Sequence, residues 1–151
     1  MKVVVPRELA AGETRVAATP RTVKRMDRAG LAVHVESGAG AASGITDKEF
    51  SESGATIVED RAALLSGSEI VLAVKPPDAA TLEQIPSGAV LVAILDPLIE
   101  HELVKQLAGR GVSAFSLDMV PRIARAQSMD VLSSMSTLSG YQAVLLASMA
   151  L

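Results

Sequence analysis

The chain has 151 residues, 49% of them hydrophobic and 21% charged, and its net charge at neutral pH is −3. These values are typical of one globular domain with a real core and exclude a disordered chain. The lack of cysteine excludes disulfides and thiolate metal sites. With three aromatic residues and no long basic run, the chain is not expected to bind nucleic acid.

Six short apolar runs divide the chain and predict β-strands. Several are apolar on both faces, which is typical of strands in a parallel sheet that is covered on both sides. The first run belongs to MKVVVPRE, a charged strand and not a signal peptide, so we expect a cytosolic protein. The predicted strands are residues 2–5, 31–35, 55–58, 69–74, 89–95 and 112–117.

Helix signals lie between these strands. Thr19 is a good N-cap before a proline, and Gly30 is a suitable stop for the helix that follows. Thr46 and Glu49 have the spacing of a capping box, and Gly54 closes that short helix. Further helices are predicted at residues 60–66, 78–84 and 99–109.

This alternation predicts an α/β fold: a parallel sheet in three layers, Rossmann-like or flavodoxin-like, with right-handed crossovers. Ligands of such sheets bind at the carboxyl ends of the strands. We therefore expect a functional site among the loops at residues 6–18, 36–45, 75–78, 95–98 and 118–136.

The loop 36–45 resembles a dinucleotide-binding loop, because Gly38 and Gly40 follow a strand at G-x-G spacing. In that motif a third small residue lies inside the helix start, where free amides face the pyrophosphate. Here Ser43 takes the third position, and the capping box starts the helix only after Thr46. We therefore expect the two glycines to form a turn that needs positive φ angles, without a bound phosphate.

Motifs of several other enzyme classes are missing. The sequence has neither a G-x-x-x-x-G-K-[ST] phosphate loop nor a G-x-S-x-G elbow. Its two histidines, His34 and His101, are far apart and have no partner at ligand spacing, so no metal site is predicted. We expect His34 in the core or on a sheet face and His101 on an exposed helix face.

Residues 131–151 carry no charge over a length that could cross a membrane. They also contain five serines, a threonine, a glutamine and a glycine, whereas a spanning helix is predominantly apolar. We expect a helix buried between domains or subunits and no membrane insertion. Because no helix-ending signal precedes Leu151, we also expect a longer parent polypeptide.

Two stretches are more polar than their predicted structure requires. Residues 6–20 form a long βα loop with Arg7, Glu8, Glu13 and Arg15, and such length suggests function, although a surface loop with exposed ion pairs is the alternative. Residues 119–144 carry side chains that could hold the amide and ribose of a nicotinamide nucleoside, or could belong to a polar interdomain loop. They are Arg122, Arg125, Gln127, Asp130, Ser133 and Ser134.

Both stretches resemble the family of alanine dehydrogenase and proton-translocating NAD(P) transhydrogenase. The matching motifs are PREx₃GExRVAATP at the start and VPRIARAQSMDVLSS at the end, and the second is the more specific. It closely resembles the NAD(H)-binding component of transhydrogenase, the first domain of its alpha subunit. The resemblance extends over nearly all of the chain.

The resemblance implies that Arg122, Gln127, Asp130 and Ser133 embrace the nicotinamide end of NAD(H). It assigns residues 1–130 to an N-terminal α/β subdomain. Residues 131–151 would begin a helix that bridges to a second Rossmann subdomain, which holds the pyrophosphate and lies outside this sequence.

The two branches of the family differ in their chemistry. An alanine dehydrogenase needs a cation for pyruvate and an acid or base for its carbonyl group; the resemblance gives the first role to Arg15 and Lys75. Asp96 stands where the catalytic histidine is expected, which argues against this branch. A transhydrogenase needs no acid or base, because hydride passes directly between two nicotinamides; Arg15 and Lys75 are then secondary candidates that pair with carboxylates at the strand ends.

The resemblance therefore implies a portion of a proton-translocating transhydrogenase. It implies a cytoplasmic homodimer that is peripheral to the inner (plasma) membrane through its partners. These partners would be a domain that binds NADP(H) and a separate membrane component. Two alternatives remain: an amino-acid dehydrogenase of the alanine dehydrogenase type, and a non-catalytic half-domain that binds a partner.

Overall fold

The computed structural model describes residues 1–150 and contains one six-stranded, fully parallel sheet. The strand order is β3-β2-β1-β4-β5-β6. This order confirms the predicted α/β class and is that of a Rossmann sheet. The strands are β1 (Lys2–Val5), β2 (Ala32–Glu36), β3 (Thr56–Val58), β4 (Ile70–Leu72), β5 (Val90–Ala93) and β6 (Ser113–Ser116).

Six α-helices connect or follow these strands, and their starts lie close to the predicted positions. The Thr46–Glu49 capping box is present, and Thr19 caps its helix together with Thr22 in a second capping box. Gly30 and Gly54 follow their helices with positive φ angles, as a chain reversal after a helix requires. The helices are α1 (Pro20–Arg28), α2 (Asp47–Glu52), α3 (Arg61–Leu65), α4 (Ala79–Gln84), α5 (His101–Gly109) and α6 (Val131–Ala150).

Helices cover both faces of the sheet, which gives the three predicted layers. On one face, Val23 of α1 and Phe50 of α2 pack on Val3 and Val35. On the other face, α3, α4 and α5 contribute to a second buried cluster that includes Leu64, Leu82, Leu107, Val4, Val71 and Leu91. Because successive residues of a strand point to opposite faces, Val3 and Val4 belong to different clusters.

The strand order reverses between β1 and β4, which are neighbours in the sheet. Loops leave these two strands toward opposite faces, so a crevice opens at their carboxyl ends. Residues after β1 and β4 therefore form the first place to look for a functional site.

The last helix, α6, has 20 residues and no buried side chain. Hydroxyl groups of Ser136, Thr137 and Ser139 donate to the backbone carbonyls four residues earlier, which satisfies them within the helix. Among residues 1–150, no helix reaches the combination of length and hydropathy that crossing a membrane requires.

Candidate functional site

The glycine-rich loop after β2 is closed by a carboxylate of the chain itself. Asp47, the first residue of α2, accepts a hydrogen bond from the Gly38 amide at 2.9 Å and another from the Ser37 hydroxyl at 2.7 Å. These are the groups that would face a phosphate in a dinucleotide loop. The Gly38 amide is therefore already satisfied without a ligand.

The two glycines of this loop are required for different reasons. Gly38 has a φ of 74°, as expected from the sequence. The expectation of a positive φ is wrong for Gly40, whose φ is −91°. A Cβ atom at Gly40 would lie 2.7 Å from both the Ile45 carbonyl oxygen and a ring carbon of Phe50. Gly40 therefore allows the turn to pack against α2.

The long loop after β1 is tied to its neighbours rather than free on the surface. Glu8 accepts hydrogen bonds from the backbone amides of Val74 (2.6 Å) and Lys75 (3.1 Å), just beyond β4. Farther along, the Thr14 carbonyl accepts from the Ser43 hydroxyl at 2.5 Å. The loop is thus fixed to both halves of the sheet.

Arg15, one of the secondary candidates, is held by Glu13. Two guanidinium nitrogens of Arg15 contact the Glu13 carboxylate at 2.8 and 2.6 Å. Hydrogen bonds from the Arg15 side chain lower the pKa of Glu13 from 4.5 to about 2, and the charge of Lys75 contributes to this shift. Arg15 is thus paired with a carboxylate, whereas the Lys75 ammonium acts on Glu13 only through its charge.

A nearly buried ion pair lies beside this cluster. Glu36 at the end of β2 and Arg61 at the start of α3 approach to 2.8 Å, and their side chains are 6% and 18% exposed. Arg61 also donates to the Arg7 carbonyl and to the Thr81 hydroxyl, while Glu36 accepts from the Arg7 amide. The pair joins β2, α3, α4 and the loop after β1.

A cavity of about 270 Å³ opens between this ion pair and Lys75. It lies at the crevice between β1 and β4, where the fold places ligand sites. Its polar lining consists of Arg7, Glu8, Arg61, Lys75, Asp78 and Thr81.

The residues predicted to hold nicotinamide lie in a separate segment after β6. A 3-10 helix, Ala124–Met129, carries Gln127, and Asp130 directly precedes α6. Asp130 is 8% exposed. One of its carboxylate oxygens accepts from the Ser133 amide at 3.0 Å and the other from the Ser133 hydroxyl at 2.6 Å.

These contacts make Asp130 the N-terminal cap of α6. Hydrogen bonds from Ser133 lower the pKa of Asp130, and the nearby charge of Arg122 lowers it further. Arg122 and Gln127 are exposed. The structure thus joins Asp130 to Ser133, places the charge of Arg122 near enough to act on Asp130, and leaves the Gln127 side chain toward solvent. We call residues 122–133, which are predicted to hold nicotinamide, the nicotinamide loop.

Asp96 and the two histidines also have defined places. Asp96 is exposed beyond β5, and its φ of 47° is the one positive value of a non-glycine residue within residues 1–150. His34 lies partly buried in β2, where burial lowers its pKa. His101 is exposed at the first position of α5. The two histidines are where the sequence predicts them.

Sequence reasoning missed the carboxylates that receive backbone amides at the strand ends. Glu36 binds the amide after β1, Glu8 binds those after β4, and Asp118 accepts from the Leu95 amide after β5 at 3.1 Å. Each carboxylate comes from a strand or loop beside the one it binds. An acidic residue at or just beyond the end of a strand was the available signal, but its partner follows only from the strand order.

Comparison with known proteins agrees with this architecture. Residues 4–139 match the family described as the N-terminal domain of alanine dehydrogenase/PNT. The NAD(P) transhydrogenase subunit alpha of Haemophilus influenzae is 41% identical over 145 residues, covering 96% of this chain and 28% of that protein. The alanine dehydrogenase of Halomonas elongata is 32% identical over 144 residues, covering 95% of this chain and 38% of that protein.

Among solved structures, too, a transhydrogenase is more similar to this chain than an alanine dehydrogenase is. A transhydrogenase from Sinorhizobium meliloti has a TM-score of 0.92 and 41% identity, over 96% of this chain and 43% of that one. An L-alanine dehydrogenase has a TM-score of 0.76 and 29% identity, over 80% of this chain and 33% of that one. The chain thus spans less than half the length of each of these relatives. It belongs to the alanine dehydrogenase/PNT family and corresponds to the N-terminal domain of that family.

Proposed function

We propose that this chain is the N-terminal portion of the NAD(H)-binding component of a proton-translocating NAD(P) transhydrogenase. The observation that carries this proposal is the difference between the two kinds of relative. The two transhydrogenases are each 41% identical to this chain, and the solved one has a TM-score of 0.92. The two alanine dehydrogenases are 32% and 29% identical, and the solved one has a TM-score of 0.76. Both comparisons extend over most of the chain, so the difference is not due to one motif.

The chemistry of the nicotinamide loop fits this role. Direct transfer between two nicotinamides needs orientation and proximity, and no acid or base. Asp130 can accept from a ribose hydroxyl in addition to Ser133, because a carboxylate has about four acceptor sites. The exposed carboxamide of Gln127 can both donate to and accept from the nicotinamide amide. When bound, NAD(H) supplies the hydride, and these side chains hold the ring in place.

Three side chains weigh against an alanine dehydrogenase: those of Asp96, Arg15 and Lys75. The exposed carboxylate of Asp96 stands at the end of β5 and would repel a keto acid. Both oxygens of Glu13 bind Arg15, so the charge of this guanidinium is already compensated and attracts a second carboxylate less strongly. Lys75 remains available at the rim of the cavity, but one cation does not provide proton transfer to a carbonyl group.

The proposal includes the partners of the intact enzyme. We place NAD(H) on this component and NADP(H) on a partner domain, with a separate membrane component that couples hydride transfer to proton movement. The component would be a homodimer in the cytoplasm, peripheral to the inner membrane through those partners. Residues 131–151, of which Leu151 lies outside the described residues, would start the helix that leads to the second Rossmann subdomain. The exposed apolar side chains of α6 support this assignment.

The proposal can be tested by comparing two reactions of the assembled enzyme, meaning this chain within its parent protein and with its partner components. One reaction contains NADH and NADP⁺, and the other contains NADH, pyruvate and ammonia. We expect NADPH to form in the first reaction and no NADH oxidation in the second. Oxidation of NADH that depends on pyruvate and ammonia, without NADPH formation, would establish the alanine dehydrogenase instead.

A further inference from the structure

The nicotinamide loop is held in place at few points. Between Met119 and Met129, Ala126 is the one buried residue. The backbone of the loop forms 3-10 turns, whose hydrogen bonds are local, and it is not part of the sheet. The position of the loop therefore depends on the groups that anchor its two ends.

Asp118 anchors the first end. It lies in the 3-10 turn Leu117–Met119, four residues before Arg122. Its carboxylate accepts from the Leu95 amide at 3.1 Å and from the Ser116 hydroxyl. Burial would raise the pKa of Asp118, but these hydrogen bonds, with others from the amides of Asp118 and Asp96, lower it overall. The carboxylate thus links the exits of β5 and β6.

The same turn supports the second end of the loop. Leu117–Met119 packs against α6, whose first turn is capped by Asp130. The placement of the turn therefore affects both Arg122, which follows it, and Asp130, which belongs to the helix in contact with it. The hydrogen bonds of the Asp118 carboxylate go to Leu95 and Ser116 and to none of the predicted cofactor-binding side chains.

We propose that Asp118 is a positioning residue for hydride transfer: it fixes the position of the nicotinamide loop relative to the end of β5. This inference rests on the proposed function. Without the carboxylate, the loop keeps its binding groups but loses the geometry in which they orient the nicotinamide. Because small misplacements reduce the rate of a reaction more than the affinity for its substrate, the loss should fall on kcat rather than on KM.

Asp47 provides a matched control. It also accepts from one serine hydroxyl and one backbone amide at a strand end, but it closes the glycine loop after β2. Asp118→Ala and Asp47→Ala therefore delete the same kind of contact at two places in one sheet. Asp118→Asn keeps one acceptor oxygen for the Leu95 amide and tests for partial rescue.

The experiment measures kcat and the KM for NADH of the assembled enzyme, together with the melting temperature of each variant. We expect Asp118→Ala to lower kcat about 10- to 100-fold while the KM for NADH changes little, and Asp118→Asn to recover some of the rate. Asp47→Ala should melt at a similarly lowered temperature and keep the wild-type kcat. The inference would be overturned if Asp118→Ala had the kcat of the wild type. It would also be overturned if Asp118→Ala and Asp47→Ala lowered kcat by the same factor. If the wild-type enzyme itself transfers no hydride to NADP⁺, the proposed function fails instead.

Discussion

Asp130 and Ser133 are joined by two hydrogen bonds, one from the Ser133 amide at 3.0 Å and one from its hydroxyl at 2.6 Å. They fix the carboxylate at the start of α6 and lower its pKa. The Asp130 carboxylate is therefore ionised and held in one position as a hydrogen-bond acceptor. This rigidity is what orientation of a ribose requires.

Asp130→Asn should slow hydride transfer about 10- to 100-fold without unfolding the helix. Asparagine is itself a good N-cap, so α6 should still begin at Val131. Its amide nitrogen, however, cannot accept from the Ser133 hydroxyl or from ribose. Steady-state rates of the assembled enzyme measure the effect. Asp60→Asn is the control, because Asp60 caps α3 through the Ala63 amide at 2.7 Å, outside the nicotinamide loop.

Gln127→Ala should lower the hydride-transfer rate and leave stability unchanged. The side chain is exposed and makes no hydrogen bond within residues 1–150, so nothing in the folded chain depends on it. Gln106→Ala removes a comparable exposed carboxamide from α5 and should leave the rate unaltered. A wild-type rate for Gln127→Ala would count against assigning this side chain to the nicotinamide.

The Glu36–Arg61 pair leads to a prediction about stability. Arg61→Ala leaves the Glu36 carboxylate nearly buried without its counter-charge, which should reduce the free energy of unfolding by about 3 kcal/mol. Urea denaturation of the chain, followed by circular dichroism, gives this value. Lys48→Ala breaks the exposed pair with Glu52, whose side chains are 83% and 65% exposed, and should cost at most about 0.5 kcal/mol. If both variants lost a similar free energy of unfolding, burial would not explain the contribution of the Glu36–Arg61 pair.

The Glu13–Arg15 pair should make stability depend on pH in the acid range. The pKa of Glu13 is lowered from 4.5 to about 2 in the folded chain. The stabilisation is therefore complete above pH 4.5 and is lost as the pH falls toward 2. Urea denaturation at several pH values should show a smaller loss on acidification for Glu13→Gln than for the wild type. Identical pH profiles would mean that the pair does not shift the pKa as described.

Much of the fold could be predicted because its signals are local. The apolar runs predict all six strands. The caps at Thr19 and Thr46 are predicted by residues close to them in the chain. These interactions depend on the conformation of one turn or one strand, which the order of residues already determines.

Contacts between strands could not be predicted in the same way. Glu36 meets Arg61, and Asp118 meets Leu95, only because β2 lies beside β3 and β5 beside β6. The reason for Gly40 was also missed, since its close contact with Phe50 depends on how α2 packs on the loop. For the candidate site, the resemblance predicted the residues, and the structure added the contact between Asp130 and Ser133.

Direct hydride transfer from NADH to NADP⁺ can be followed with an isotope label in the assembled enzyme. NADH deuterated at the transferred position of C4 is mixed with NADP⁺, and the product is analysed by mass spectrometry. We predict that deuterium appears in NADPH without exchange with solvent, because the nicotinamide loop aligns the two rings for direct transfer. Label recovered in alanine from added pyruvate and ammonia, with none in NADPH, would show an alanine dehydrogenase instead of a transhydrogenase.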